Sequence, residues 1–86
     1  MAELHVSIVS ADREVWAGAA KQVVARTTEG EIGILAGHEP ILAILAPGEV
    51  RVNGNDGSVV RITADDGFLS VENNRITVVS RVATVV

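Results

Sequence analysis

No cysteine occurs among the 86 residues, so neither a disulfide framework nor a thiolate metal site is available, and stability must come from packing. Aromatic residues are nearly absent too. Trp16 and Phe68 stand alone, which leaves Val, Ile, Leu and Ala to build the core. Basic residues are few and scattered. Seven Lys and Arg against eleven Asp and Glu give a formal charge of −4, which argues against nucleic-acid backbones and anionic lipid head groups as partners. Apolar runs are short: the longest, Ile41 to Ala46, falls far below the roughly 20 residues of a bilayer-spanning helix, so the sequence predicts no direct membrane insertion. Met1-Ala2-Glu3-Leu4-His5 lacks the basic and apolar stretches of a signal peptide, which predicts no export.

What the chain does hold in quantity is valine, its commonest residue, and β-branched side chains suit a pleated, half-buried surface better than a helix. The length fits one domain, residues 1–86, with one modest core. Leu4, Val6 and Ile8 alternate with His5 and Ser7, the two-residue period of a strand with one buried face. Ser10-Ala11-Asp12-Arg13 suits a tight reversal. From Glu14 the pattern is ambiguous, since Val15, Trp16, Ala19, Ala20, Val23 and Val24 fit helical spacing. Gly18 in a helix interior would cost about 1 kcal/mol relative to Ala, and Val23 to Thr28 is rich in β-branched residues, so two short strands broken near Gly18 are expected. Glu29 to Pro40, with glycines at 30, 33 and 37, reads as short extended pieces joined by turns. Pro40 could begin a helix through Ala46, but Pro47-Gly48 would stop it early, and a buried strand is expected instead. Asn53-Gly54-Asn55-Asp56-Gly57 holds two hairpin signals, Asp65-Asp66-Gly67 marks a reversal, and Asn73-Asn74 is a two-residue connection of residues that tolerate positive φ. Between them Val60, Ile62 and Ala64, then Phe68 to Glu72, then Ile76, Val78, Ser80 and Val82 complete a set of short strands. The class is all-β, a sandwich or barrel. The ending, Val82-Ala83-Thr84-Val85-Val86, has no polar cover, which predicts either a covering partner or a chain that continues.

Catalytic chemistry finds little support. A Ser-His-Asp set drawn from Ser7, His38 and Asp65 would rest on residues that every small domain contains. His5 and His38 have no spacing that converges two imidazoles on an ion, and His38 and Glu39 with Glu29 or Glu31 read more simply as a solvated loop. Asp65-Asp66-Gly67 lacks the spaced oxygen ligands of a calcium loop. The glycines from Gly30 to Gly37 match neither a dinucleotide fingerprint nor a P-loop, and backbone geometry is their expected role. No cofactor is expected.

One longer segment is more specific. Arg26-Thr27-Thr28-Glu29-Gly30-Glu31-Ile32-Gly33-Ile34-Leu35-Ala36-Gly37-His38-Glu39-Pro40 closely resembles the signature of the epsilon subunits of bacterial rotary (F-type) ATP synthases. Leu4-His5-Val6-Ser7-Ile8-Val9-Ser10 with Trp16 and Gly18, Pro47-Gly48, and Asp66-Gly67-Phe68-Leu69-Ser70-Val71 fall in the family's order, so the resemblance spans essentially the whole chain. Ala36, where the family usually has Pro, and Glu39, where a small or apolar residue is commoner, depart from it within one loop.

The resemblance implies a ten-stranded antiparallel β-sandwich that performs no chemistry. It implies a peripheral rotor piece at the cytoplasmic face of the bacterial membrane, joining the gamma subunit to the ring of c subunits. Glu29, Glu31 and Glu39, clustered near His38, are expected to face basic loops of the ring. Ser10 and Pro40, Ile41, Leu42 and Ala43 are expected on the gamma side, although ordinary core is an equally open reading of Ile41 and Leu42. Full-length members of the family usually carry a carboxy-terminal helical hairpin; no such hairpin is expected within these 86 residues, and both a shortened chain and a naturally short subunit fit that ending. The alternative function is a free-standing β-sandwich binding module.

Overall fold

The structure, a computed structural model, describes residues 3–11 and 13–86, so Met1, Ala2 and the Asp12 of the first reversal lie outside the described residues. Ten strands occur in it: β1 (Leu4–Ser10), β2 (Arg13–Ala20), β3 (Gln22–Thr27), β4 (Gly30–Leu35), β5 (Ile41–Leu45), β6 (Gly48–Asn53), β7 (Val59–Ala64), β8 (Gly67–Glu72), β9 (Arg75–Ser80) and β10 (Ala83–Val85). They form one continuous sheet that folds over into a sandwich. The first layer runs β4-β3-β6-β7-β10 and the second β5-β8-β9-β1-β2, joined where β3 meets β5. All pairings are antiparallel except β1 with β9, which is parallel and departs from the all-antiparallel expectation. A parallel neighbour has no local turn signal, because its two strands are far apart in sequence.

Alternation builds the core. Val23, Ala25, Ile34, Val50, Val52 and Ile62 point inward from the first layer, and Leu4, Val6, Ile8, Leu69, Val71, Ile76 and Val78 meet them from the second, all buried. Each large aliphatic side chain so buried stabilises the fold by about 1.5–3 kcal/mol relative to exposure. β2 breaks the alternation through a bulge: Ile8 pairs with Trp16 and Val9 with Glu14, which leaves Val15 unpaired and lets Val15 and Trp16 both pack on the core. The break expected near Gly18 is therefore absent. Gly18 stays within β2 beneath the indole, where a Cβ would lie 3.0 Å from Trp16 Cη2, and the chain leaves the strand at Lys21. Within Glu29 to Pro40 the extended part is one strand, β4 (Gly30–Leu35), followed by a turn at Ala36-Gly37; Gly30 (φ 118°) opens the strand, Gly33 sits within it and Gly37 (φ 87°) lies in the turn.

The reversal at Asn73-Asn74 is as expected, with φ of 49° and 62°. The Asp65-Asp66-Gly67 turn is more demanding. A Cβ on Gly67 would run into the Val79 carbonyl and come within 2.8 Å of Ser80 Cα. Beside it, Ser80 is 2% exposed, and its hydroxyl joins two of the crossings between layers, β7–β8 and β9–β10. Its Oγ accepts the Asp65 N–H at 3.0 Å and shares its proton between the carbonyls of Asp65 and Val82, each at 2.7 Å. Ser80→Ala strands these buried groups, so we expect a loss of about 1–3 kcal/mol of stability, a fall of at least about 4 °C in Tm by calorimetry, and no change in fold.

Candidate partner-binding surface

The outer faces of the two layers differ in chemistry. The first layer turns Glu31, Arg26, Glu49, Arg51, Arg61 and Thr63 to solvent, with Arg51 placed 3.5 Å from Glu31 and 3.9 Å from Glu49, and its exposed Leu35 and Val59 stand apart, with Gln22 and Asn53 between them in their row. The second layer turns out Ile44, Phe68, Val79 and Val9, which the pairings Ile44↔Phe68, Phe68↔Val79 and Val9↔Val79 set in one row across four strands. Leu42, Ile44 and Phe68 are 71%, 57% and 39% exposed. Large apolar side chains grouped in this way mark a contact surface.

Strand β5 belongs to that face by half. Ile41 and Ala43 pack partly against the core, while Leu42 and Ile44 stand out of it, so the expected buried strand is buried on one face only. This also divides the open reading of Ile41 and Leu42: the first is a core neighbour and the second is not. Ile44 and Phe68 were missed in the sequence. Their signal was available, since each alternates with an inward residue, but an apolar residue on the outer face looks locally like one on the inner face.

The acidic residues do not form one cluster. Glu29 lies at the β3–β4 turn, where its N–H donates to Thr27 Oγ1 at 3.2 Å and the same hydroxyl donates to the Gly30 carbonyl at 2.7 Å. Glu31 follows on β4 beside Arg51. His38 and Glu39 come after the other end of β4, about 17 Å away at the usual rise per residue. There the Gly37 N–H donates to Asn74 Oδ1 at 2.7 Å, the His38 N–H donates to the Leu35 carbonyl at 3.1 Å, and His38 Nδ1 donates to the Glu39 carbonyl at 2.8 Å. The expected grouping of Glu29, Glu31 and Glu39 near His38 is thus replaced by two sites at opposite ends of one strand. Ser10 is separated from Pro40 in the same way: it shares a row with Ser80, Gly67 and Leu45, and its Oγ accepts the Ala83 N–H at 3.2 Å.

What comes together instead is a groove of about 380 Å³ lined by Thr27, Glu29, Glu31, Ile32 and the Ile41–Ala43 half of β5. No three His, Asp or Glu side chains converge as a metal site among the described residues. Among the described residues the one titration clearly displaced is that of Asp56, on the exposed β6–β7 loop, where the Ser58 hydroxyl and then the Ser58 N–H hold the carboxyl below its ordinary value. No helix among the described residues is long and apolar enough to cross a membrane.

Residues 3–86 match the family described as the beta-sandwich domain of the ATP synthase delta/epsilon chain. The chain belongs to this family. It is 54% identical over 78 residues to the ATP synthase epsilon chain of Micrococcus luteus, a match covering 91% of this chain and 86% of that one. With the epsilon chain of Streptomyces coelicolor the identity is 48% over 82 residues, covering 95% of this chain and 66% of the relative, so the chain spans just under two thirds of that protein. A chain in the structure of the Euglena gracilis mitochondrial ATP synthase, OSCP/F1/c-ring, superposes with a TM-score of 0.93 at 26% identity, covering 99% of this chain and 54% of that one. A chain in the Tetrahymena thermophila mitochondrial ATP synthase structure shares the fold, with a TM-score of 0.72 at 16% identity. The expectation of an epsilon-type β-sandwich is met.

Within this epsilon-type sandwich the two departures in the loop after β4 are accommodated simply. Ala36 packs partly against the core, and Glu39 is exposed with its carbonyl used by His38. The Arg51 pairs are exposed on both sides and so add little to folding. Arg51→Gln should change the urea unfolding free energy by less than about 0.5 kcal/mol, and a larger loss would mean that the pairs brace the sheet.

Proposed function

We propose that the chain is a non-catalytic coupling piece of the ATP synthase central stalk, joining the gamma subunit to the ring of c subunits so that rotation and ATP turnover remain linked. Membership of the epsilon family supplies the complex. The carrying observation is the contrast between outer faces, because only the second layer offers an apolar row, Ile44-Phe68-Val79-Val9 with Leu42 beside it. A lasting protein interface buries about 1,000 Å² or more in total, so each partner gives roughly 500 Å², a tenth of the 5089 Å² exposed here. One face of a five-stranded layer supplies that area.

The gamma subunit takes the second-layer face. Of the four residues expected towards the ring, Glu31 is the one we assign there: it stands on the outer side of the β3–β4 hairpin, turned away from the apolar row, with Arg51 beside it. Such a charge orients a contact more than it holds it, since exposed pairs are each worth about 0–1 kcal/mol. The role is peripheral, at the cytoplasmic face of the bacterial membrane. A structure of Tetrahymena thermophila whose name describes the central stalk and c-ring holds a chain of this same fold, which supports the placement.

Two measurements test this reading. The domain should co-migrate with the gamma subunit in size-exclusion chromatography, and Ile44→Glu, which places a charge on an otherwise apolar row, should weaken that binding at least about tenfold with Tm unchanged. Binding that is indifferent to the substitution removes the second-layer face from the interface. In the assembled enzyme, Glu31→Lys should lower the ratio of proton pumping to ATP hydrolysis while the isolated domain melts as before; an unaltered ratio counts against the ring assignment.

A further inference from the structure

Strand β5 has two edges, and only one of them is fully used. On one side it pairs along its whole length with β8, from Ile41↔Val71 to Leu45↔Gly67. On the other it meets β3 at a single pair, Thr27↔Leu45, with the Thr28 N–H donating to the Ile44 carbonyl at 3.0 Å and the Ala46 N–H to the Arg26 carbonyl at 3.0 Å. Beyond that point β3 has turned into the hairpin. In an antiparallel strand the main-chain groups alternate between edges, so Leu42 faces the same way as Ile44. The Leu42 N–H and C=O are therefore directed into the groove, where no strand pairs with them among the described residues.

The groove is built for more than a stray side chain. Ile32 and Ile41 give it an apolar floor, and of the two carboxylates along it Glu31 sits at the rim beside Arg51, which leaves Glu29 as the acidic residue with no Lys or Arg among the described lining residues. Pro40, immediately before β5, has no N–H and ends the usable edge, which limits an added strand to the few residues opposite Leu42.

We infer that this groove receives a short extended segment of the gamma subunit as an added strand, paired to the Leu42 main chain and carrying a Lys or Arg against Glu29. The inference rests on the proposed stalk role and specifies the kind of contact made at β5. It also explains why an exposed edge is left on a strand whose outer face is apolar: side chains of the partner cover Leu42 and Ile44 while its backbone completes the ladder. Main-chain pairing supplies the affinity of such contacts, and the neighbouring side chains supply the selection.

The experiment is hydrogen exchange and titration with purified gamma subunit. Exchange of the Leu42 amide should slow at least tenfold in the complex. Leu42→Pro, which removes an N–H at an edge where proline is tolerated, should weaken binding at least tenfold more than Leu42→Ala, which keeps it. Glu29→Lys should weaken binding about three- to tenfold and flatten its dependence on salt. If wild-type domain binds gamma with no protection of the Leu42 amide, or if Leu42→Pro and Leu42→Ala bind alike, strand addition is wrong although the stalk assignment stands. Failure of wild-type domain to bind gamma at all overturns both. Should Leu42→Pro not fold, the exchange measurement on the wild type decides alone.

Discussion

The departure of β5 from β3 after one residue pair is the constraint on which the rest of this structure depends. At that point β3 exchanges one neighbour for another, with β6 paired at Gln22 to Val24 and β5 at Thr27. The exchange turns a single ten-stranded sheet into two facing layers. The Thr28–Ile44 and Ala46–Arg26 hydrogen bonds that fix it are each worth only about 0.5–1.5 kcal/mol net, less than one well-buried leucine or isoleucine. They set register and direction, and the aliphatic core behind them provides the stability. Because the same departure frees half an edge of β5, closing the sandwich and opening the groove are one structural event.

Much of this was legible in the sequence where one face of a strand is polar. β1, β6, β7 and β9 alternate plainly, and the connections at Asn53–Gly57 and Asn73-Asn74 carry residues suited to them. Three features were not legible, each for a physical reason. The bulge opposite Ile8 and Val9 places Val15 and Trp16 on the same side, which imitates helical spacing. The three glycines from Gly30 to Gly37 look alike on paper, but only the first and last adopt positive φ, and the middle one is an ordinary strand residue beside Gln22. The parallel pairing of β1 with β9 depends on the closure of the whole sandwich, which no local pattern encodes.

The surface was harder to read than the core. Proximity along the chain placed Glu29, Glu31, His38 and Glu39 together, yet an extended strand carries its ends apart, and the two groups serve different loops. Sequence also divided Glu29 and Glu31 from Ile41, Leu42 and Ala43, whereas the fold brings them to the two walls of one groove. Recognition of the family was what made these segments worth attention, and the residues alone would have described an acidic loop followed by a core strand.

The outward Leu42 and Ile44 add little to the stability of the isolated chain, since they remain largely in water, and Phe68 beside them is still 39% exposed. Their apolar surface becomes favourable only when covered, so folding and attachment draw on separate sets of residues: Val, Ile and Leu inside, and one row outside. That separation suits the proposed stalk role. A contact made by one rigid face and one strand edge can be strong without any rearrangement of the core, and an aliphatic core with Trp16 only at its margin gains its rigidity from hydrogen-bonded strands and from fixed points such as Ser80, where two of the crossings between layers, β7–β8 and β9–β10, are tied to one hydroxyl. The β3–β5 seam and the Ser80 junction lie two strands apart in a single row, Leu45-Gly67-Ser80, so the two layers are tied together along one end of the sandwich by main-chain and hydroxyl hydrogen bonds.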